Sequence, residues 1–171
     1  QVDVLINNAG FGMVGAAHTL DMEKEEQMLQ LLVVTPTQLC KCCLRDMYKR
    51  GSGKILNVAS VGAFQPGPYT ASYYASKSYL YQYSQAVRLE AKKQGVQVCT
   101  LCPGSTRTHF FEKTGAKTPI WAMSPERVAK EAWEGLNADK AVVVPGMINR
   151  LLRLVPAQIK AYGVALLKKH T

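Results

Sequence analysis

Residues 2–10, VDVLINNAG, decide the fold class of this chain. The stretch is a short apolar run that ends in Asn-Ala-Gly, a pattern typical of a buried strand that stops at a turn. Strands that are apolar along their whole length are typical of a parallel sheet with both faces covered. Three more such runs follow at wide spacing, and they are GKILNVAS at 53–60, GVQVCTLCPG at 95–104 and KAVVVPG at 140–146.

The segments between these runs have helical composition. Residues 21–50 begin with Asp21 as a candidate cap, and Pro36 is predicted to kink or lightly break that helix. Further helices are predicted over 73–93 and, from a Ser-Pro start signal, over 124–137. The alternation of strands and helices predicts an α/β fold, a Rossmann-like doubly wound parallel sheet in three α/β/α layers.

Composition is that of a globular domain, with 47% hydrophobic and 19% charged residues in 171. The formal net charge of +9 is high for this length. No basic run precedes the extreme C-terminus, so the charge indicates solvated surface and attraction for anionic cofactors. We therefore do not expect a nucleic-acid partner.

The five cysteines are predicted to be buried free thiols. Cys99 and Cys102 have CxxC spacing, but residues three apart in a strand point to opposite faces, which suits neither a redox pair nor a zinc site. No segment of the sequence has the apolar length to span a bilayer or the pattern of a signal peptide. A cytoplasmic location is the expectation from these features.

The pentapeptide YYASK at 73–77 carries candidate chemistry. Residues four apart share one face of a helix, so Tyr73 and Lys77 are neighbours while Tyr74 is rotated away. An ammonium near a phenol is expected to lower the pKa of the phenol from about 10. Tyr73 is thus a candidate acid/base. The helix has three further tyrosines, so the pair alone favours a tyrosine-rich packing face.

Three other features support a site at the carboxyl edge of the sheet, where open α/β sheets bind ligands. Ser60 ends a strand, and its hydroxyl can bind a substrate oxygen. The Ala-Gly turn after residue 8 lets a flat cofactor approach the backbone. The segment CPGSTRT at 102–108 ends a third strand there and offers polar contacts.

In their order and spacing, NNAG at 7–10, Ser60, YYASK at 73–77 and PGSTRT at 103–108 resemble the short-chain dehydrogenase/reductase family, over residues 2 to about 146. The resemblance implies a reversible hydride transfer between NAD or NADP, which stays undecided, and a small carbonyl/alcohol substrate. It implies catalytic roles for Tyr73 as acid/base, for Lys77 as the group that binds the nicotinamide ribose and lowers the Tyr73 pKa, and for Ser60 in orienting the substrate. Tyr73 and Lys77 also count as cofactor contacts, together with Asn8, Ala9, Gly10, Pro103, Gly104, Thr106 and Thr108; no metal is implied.

Two departures from the family stand out. The family's usual asparagine on the helix after NNAG falls on Leu32, which cannot hydrogen-bond, unless the register is off by one. The family's Gly-rich loop should precede residue 2, and the given sequence does not supply it. We therefore expect an N-terminally truncated fold: residues 1–146 as the C-terminal portion of the domain. The rival hypothesis is a degenerate, non-catalytic scaffold that binds a protein partner.

Residues 147–171 form a basic amphipathic extension. It suits either a membrane-surface segment or a tail that packs over the substrate entrance or a partner subunit. The resemblance implies a homo-oligomer through the helices at 21–50 and 73–93. The histidines at 18, 109 and 170 are predicted at the surface, and the loop aromatics Phe110, Phe111 and Trp121 suggest either an apolar substrate or a packed lid.

Overall fold

The computed structural model describes residues 1–110 and 118–168. Its centre is a sheet of four strands in the order β1-β2-β3-β4, and each neighbouring pair is parallel. The strands are β1 Val4–Asn7, β2 Gly53–Val58, β3 Val96–Leu101 and β4 Val142–Val143. The predicted Rossmann-like parallel sheet is therefore confirmed, although β4 keeps only two of the residues predicted for it.

Six α-helices are described, together with a π-helical turn over Gln30–Val34 and a 3-10 helix over Val61–Phe64. The strands β1, β2 and β3 are each followed by a crossover that returns the chain to the same end of the sheet. The helices are α1 Met22–Leu29, α2 Thr35–Arg50, α3 Ala71–Lys92, α4 Pro125–Asn137, α5 Met147–Leu152 and α6 Ala157–Lys168.

Helices cover both faces of the sheet, as the apolar strands require. Because successive strand residues point to opposite faces, Ile55 and Leu56 of β2 enter different cores. Ile55 packs with Met47 of α2 and Val87 of α3, whereas Leu56 packs with Leu136 of α4. The three α/β/α layers are thereby confirmed.

Pro36 is preceded by a wider, π-helical turn in the first helical segment, and it does not end that segment. Proline lacks the N–H that would bind the carbonyl four residues earlier, at Leu32. The chain instead passes through the π-helical turn, where the Thr35 N–H donates to the carbonyl of Gln30 and the Thr35 hydroxyl donates to the same oxygen at 2.9 Å. The helix predicted over 21–50 thus continues past the proline.

All five cysteines are free thiols, but they are not all buried. Cys40 faces the sheet, whereas Cys42 is exposed and Cys43 is half-buried, because each residue rotates by about 100° around the axis of α2. Cys99 and Cys102 lie in different apolar clusters, as strand alternation predicts. The prediction of buried thiols was therefore wrong for Cys42. Within the part of the chain that the structure describes, no helix is long and apolar enough to cross a membrane.

Candidate active site

The segments that follow β2 and β3 are joined by backbone hydrogen bonds at the carboxyl edge of the sheet. The Ala59 N–H donates to the carbonyl of Leu101 at 2.8 Å, and the Val61 N–H donates to the carbonyl of Pro103 at 3.0 Å. These bonds continue the pairing of β2 and β3 into the residues that follow the two strands. They fix Ser60 beside the Pro-Gly turn, as the sequence predicted.

Ser60 caps the 3-10 helix. Its Oγ accepts a hydrogen bond from the backbone N–H of Gly62 at 3.0 Å, which leaves the hydroxyl proton available to another oxygen. The nearby phenol of Tyr73 has its pKa lowered in part by this Ser60 side chain. The serine side chain is thus held in one orientation by the turn that follows its strand.

The structure separates the two adjacent tyrosines. The ring of Tyr74 packs over glycines, since a Cβ added to Gly62 would lie 3.1 Å from it and a Cβ added to Gly67 would overlap it. Tyr73 instead faces the sheet edge, with its ring centroid 5.5 Å from that of Phe110. Of the two tyrosines, Tyr73 is the one whose pKa the Ser60 side chain lowers in part.

Lys77 lies one helical turn after Tyr73 and is only 4% exposed. Its Nζ donates to the carbonyl of Val58 at 2.7 Å and lies 5.8 Å from the Tyr73 ring centroid. Burial disfavours the ammonium form and lowers the pKa of Lys77 to about 8. The carboxyl end of β2 thus holds the lysine in place.

The expected lowering of the Tyr73 pKa was wrong. Burial raises the pKa of Tyr73 well above its usual range, and the hydrogen bond from Ser60 opposes that rise only in part. Desolvation is the larger effect because the phenol lies in an apolar environment, while the Lys77 ammonium is bound to a backbone carbonyl. Tyr73 is therefore a protonated phenol at neutral pH.

The predicted site residues meet at one cavity of about 860 Å³. Ala9 is the exception: it lines a smaller adjoining cavity of about 100 Å³, which shares Asn8 and Lys77 with the large one. The larger cavity also has apolar walls from β2, β3 and α4. The predicted residues that line it are Asn8, Gly10, Ser60, Tyr73, Lys77, Pro103, Gly104, Thr106 and Thr108.

The cavity wall fits the nicotinamide and ribose end of a dinucleotide. Gly10 is closely packed: a Cβ there would lie 2.8 Å from Cδ2 of Leu32 and 3.9 Å from Nζ of Lys77. The glycine therefore lets the main chain lie close to the buried ammonium, whose N–H groups are of the kind that ribose hydroxyls accept from. Opposite, the Thr106 hydroxyl donates to the Gly104 carbonyl at 3.1 Å and shapes the turn.

Leu32 borders this arrangement from the π-helical turn. Its side chain is 2% exposed and lines the smaller cavity with Lys77. The neighbouring positions Leu31 and Val33 are apolar too, so a register shift of one residue would not supply an amide. The position of the family's usual asparagine is therefore apolar, whichever of these three residues corresponds to it.

A series of buried side-chain hydrogen bonds near the site was not predicted from the sequence. The Asn7 amide donates to Oδ1 of Asn57 at 2.7 Å, and the Asn57 amide donates to Oγ of Ser84 at 2.8 Å. These bonds tie β1, β2 and α3 together below Lys77. The available signal was an asparagine within the last two residues of each of two apolar strands, since a buried amide needs partners.

The described aromatic residues of the loop after β3 differ in whether they line the cavity. Phe110 lines the large cavity, whereas Trp121 is 74% exposed and is not among the residues of its walls, so Trp121 supports neither the apolar-substrate nor the packed-lid interpretation. Phe111 lies outside the described residues. His18 and His109 are exposed, as predicted, and His170 also lies outside the described residues.

Comparison with known proteins agrees with this geometry. The family model described as short chain dehydrogenase matches residues 1–119. A 3-ketodihydrosphingosine reductase of Bacteroides thetaiotaomicron is 36% identical over 112 residues, which are 66% of this chain and 42% of that protein. Ketoacyl reductase HetN of Nostoc sp. is 28% identical over 160 residues, 92% of this chain and 52% of that protein. The chain thus spans about half the length of these relatives.

Among solved structures, a short-chain dehydrogenase from Sphingobium yanoikuyae in complex with NADPH has a TM-score of 0.81 and 26% sequence identity. The match covers 96% of this chain and 63% of that one. The bulky-bulky ketone specific alcohol dehydrogenase from Comamonas testosteroni, at 25% identity, has a TM-score of 0.77, and that match covers 96% and 62% of the two chains. The motifs, the parallel sheet and the family match agree, and the chain belongs to the short-chain dehydrogenase family.

Proposed function

We propose that this chain carries the acid/base site of an oxidoreductase that transfers a hydride between a nicotinamide cofactor, NAD(H) or NADP(H), and a carbonyl/alcohol substrate. The observation that carries the proposal is the convergence of Ser60, Tyr73 and Lys77 on one cavity. A phenol, a hydroxyl that lines the same cavity and a buried ammonium are the groups needed to hold a substrate oxygen and exchange a proton with it.

Tyr73 is the acid when a carbonyl is reduced. Its phenol gives its proton to the substrate oxygen as that oxygen gains negative charge, and it takes the proton back when an alcohol is oxidised. The raised pKa of Tyr73 keeps the phenol protonated at neutral pH, which is the form that reduction requires. Ser60 donates its hydroxyl proton to the same substrate oxygen and orients it toward the phenol.

The bound nicotinamide would supply or accept the hydride. Lys77 has three N–H donors, of which one is bound to the Val58 carbonyl, so two remain for ribose hydroxyls. The backbone at Gly10 and the turn at Pro103–Thr108, which line the cavity, would border the ring. These residues position the cofactor beside Tyr73.

The apolar walls of the cavity support a bulky, apolar ketone or alcohol as substrate. Leu56, Val58, Leu101 and Val128 line it, and Phe110 packs near Tyr73. The names of several relatives, among them 3-ketodihydrosphingosine reductase and the bulky-bulky ketone specific dehydrogenase, agree with this substrate class. Apolar burial supplies most of the binding free energy in such pockets.

The test is Tyr73→Phe in the protein that carries this chain, assayed with NADH and NADPH against a panel of bulky ketones. We expect turnover to fall roughly 100-fold or more, because the proton donor is gone. Cofactor binding, followed by nicotinamide fluorescence, should change little. Tyr79→Phe is the matched control, since Tyr79 lies on the same helix with its hydroxyl 3.1 Å from that of Thr37. Full activity in Tyr73→Phe would overturn the assignment.

A non-catalytic scaffold that binds a protein partner is the second candidate, and Leu32 beside Lys77 is the observation that favours it. It predicts that the wild-type protein neither reduces ketones nor binds a nicotinamide cofactor. Titration with NADH and NADPH separates the two candidates. Homo-oligomerisation through the helices at 21–50 and 73–93 and a cytoplasmic location both stay predictions.

A further inference from the structure

Among the described residues, the large cavity is lined by two lysines and by no acidic side chain. Lys77 is one of the two, and its ammonium is bound to the Val58 carbonyl beside the expected place of the cofactor ribose. The other is Lys168, in the last turn of α6. The proposed hydride transfer does not use Lys168. A charged group in a largely apolar cavity wall determines which ligands fit there.

Contacts of α6 with the domain hold Lys168 at the cavity. The Nζ of Lys160 donates to the carbonyl of Phe64 at 3.4 Å. Lys168 follows about two turns later on the same side of the helix, and its Nζ lies 5.7 Å from the ring centroid of Tyr74. Of the alternatives expected for residues 147–171, packing over the substrate entrance is the one that these contacts support.

The Lys168 ammonium lies against a ring face, with no anion beside it among the described residues. Its side chain is half-buried, and burial lowers the pKa of Lys168 because the charged form loses solvation. No ion pair or hydrogen bond with another described residue compensates for that loss. A ring face attracts a cation less strongly than a carboxylate does, and it leaves N–H donors available. The ammonium can therefore bind an anion that enters the cavity.

Two ring contacts limit the distance from Lys168 to the proposed proton donor. The ring centroids of Tyr73 and Tyr74 are 6.0 Å apart, and Lys168 Nζ lies 5.7 Å from the Tyr74 centroid. The ammonium can be no farther from the Tyr73 ring than these two distances together. An alkyl chain of medium length spans such a gap. One ligand can thus present an oxygen to Tyr73 and a second polar group to Lys168.

From this geometry we propose that Lys168 binds a carboxylate of the substrate. The substrate class is then a ketone, or the matching alcohol, with a carboxylate at the other end of an apolar chain. This inference rests on the proposed function, because it takes Tyr73 as the group that meets the carbonyl. Lys168 supplies one positive charge, which one carboxylate balances, whereas a phosphate monoester carries about two negative charges at neutral pH.

The experiment compares 7-oxooctanoate with its methyl ester, which has the same ketone and no negative charge. Binding to the protein that carries this chain is measured by calorimetry with the oxidised cofactor present, so that no ketone is reduced. We expect the wild type to bind the carboxylate about tenfold more tightly than the ester. The ratio of the two dissociation constants should fall to about one in Lys168→Met. In Lys168→Arg, which keeps the positive charge, the ratio should stay high.

Lys160→Met is the matched control, because it removes the same charge from the same helix at a residue that does not line the large cavity. It should keep the wild-type ratio, and circular dichroism checks that each variant is folded. A wild-type ratio near one, or a high ratio that persists in Lys168→Met, would overturn the proposal. So would a wild type that binds neither compound. Equal loss of the ratio in both methionine variants would also overturn it, because net charge would then set the preference.

Turnover with the reduced cofactor is measured separately, so that the two proposals can fail independently. Selective binding of 7-oxooctanoate without its reduction would contradict the proposed hydride transfer and leave the carboxylate assignment standing. Reduction of both compounds with equal affinity and equal kcat/KM would contradict only the role of Lys168.

Discussion

Lys77 is the residue whose burial has the clearest consequence for pH. Its pKa is lowered to about 8 in the folded chain, against 10.5 for an unperturbed lysine. Below pH 8 the folded state holds a buried ammonium, and this lowers the free energy of unfolding by about 3 kcal/mol. Between pH 8 and 10.5 the unfolded state binds more protons, so the penalty is relieved as the pH rises.

We expect Lys77→Met to raise the free energy of unfolding at about pH 7 by up to about 3 kcal/mol, and to change it little near pH 10. Buried thiols act in the opposite direction above pH 9, because burial raises the pKa of Cys40 to about 11 and of Cys102 to about 12. Urea unfolding of both proteins at each pH isolates the lysine. Lys93→Met, an exposed lysine, is the control, and a Lys77→Met difference that is constant with pH would contradict the prediction.

At Leu32, stability and catalytic turnover are expected to respond to substitution in opposite directions. We expect Leu32→Asn to lower stability by about 2–3 kcal/mol, because a buried apolar side chain is replaced by an amide. If the position serves the proposed reaction, the amide beside Lys77 should raise ketone turnover roughly tenfold. Leu32→Ala lowers stability without supplying a polar group. Equal turnover in the two variants, measured at saturating cofactor, would contradict a catalytic role for this position.

At the scale of elements, two glycines in left-handed conformation begin the connections into β2 and β3. Gly51 ends α2 with φ of 66°, and a Cβ there would meet nothing within 4 Å. Gly95 has φ of 72°, and a Cβ there would overlap the carbonyl oxygen of Gly51. Both positions strain any other residue, but only Gly95 also lacks space.

We therefore expect Gly51→Ala to cost about 1 kcal/mol of unfolding free energy and Gly95→Ala to cost several kcal/mol. Thermal and urea unfolding of the two variants measure the difference directly. Since both substitutions add the same methyl group at a similar φ, each is the control for the other. Equal losses of unfolding free energy in the two variants would show that the close approach of Gly95 to Gly51 does not affect stability.

At the scale of the whole molecule, β1 has a strand neighbour on one side only among the described residues. Ile6 at this edge is 51% exposed, and an apolar strand edge promotes pairing with another chain. We expect Ile6→Lys to suppress concentration-dependent association of the 171-residue chain, as measured by light scattering.

Leu89→Lys, at an exposed apolar position on α3, is the comparison for this edge prediction. Association that persists in Ile6→Lys and disappears in Leu89→Lys would move the self-contact from the strand edge to the long helix. That result would agree with the expected homo-oligomer through the helices.

The sequence alone determined the parallel α/β sheet, the order of its elements and the candidate site residues at its carboxyl edge. These follow from local information: apolar runs of strand length, turn residues at their ends, and the spacing of Tyr73 and Lys77 on one helix. The turn at Pro103 followed from its place at the end of an apolar run. Local periodicity is sufficient wherever neighbours along the chain decide the conformation.

Only the tertiary structure decided the protonation states and the partners of buried groups. The raised pKa of Tyr73, the lysine held by Val58 and the buried bond between Asn7 and Asn57 depend on elements that are far apart in sequence. The exposure of Cys42 likewise depends on how α2 is rotated against the sheet. Desolvation is set by three-dimensional packing, and a linear pattern of residue types contains no direct measure of it.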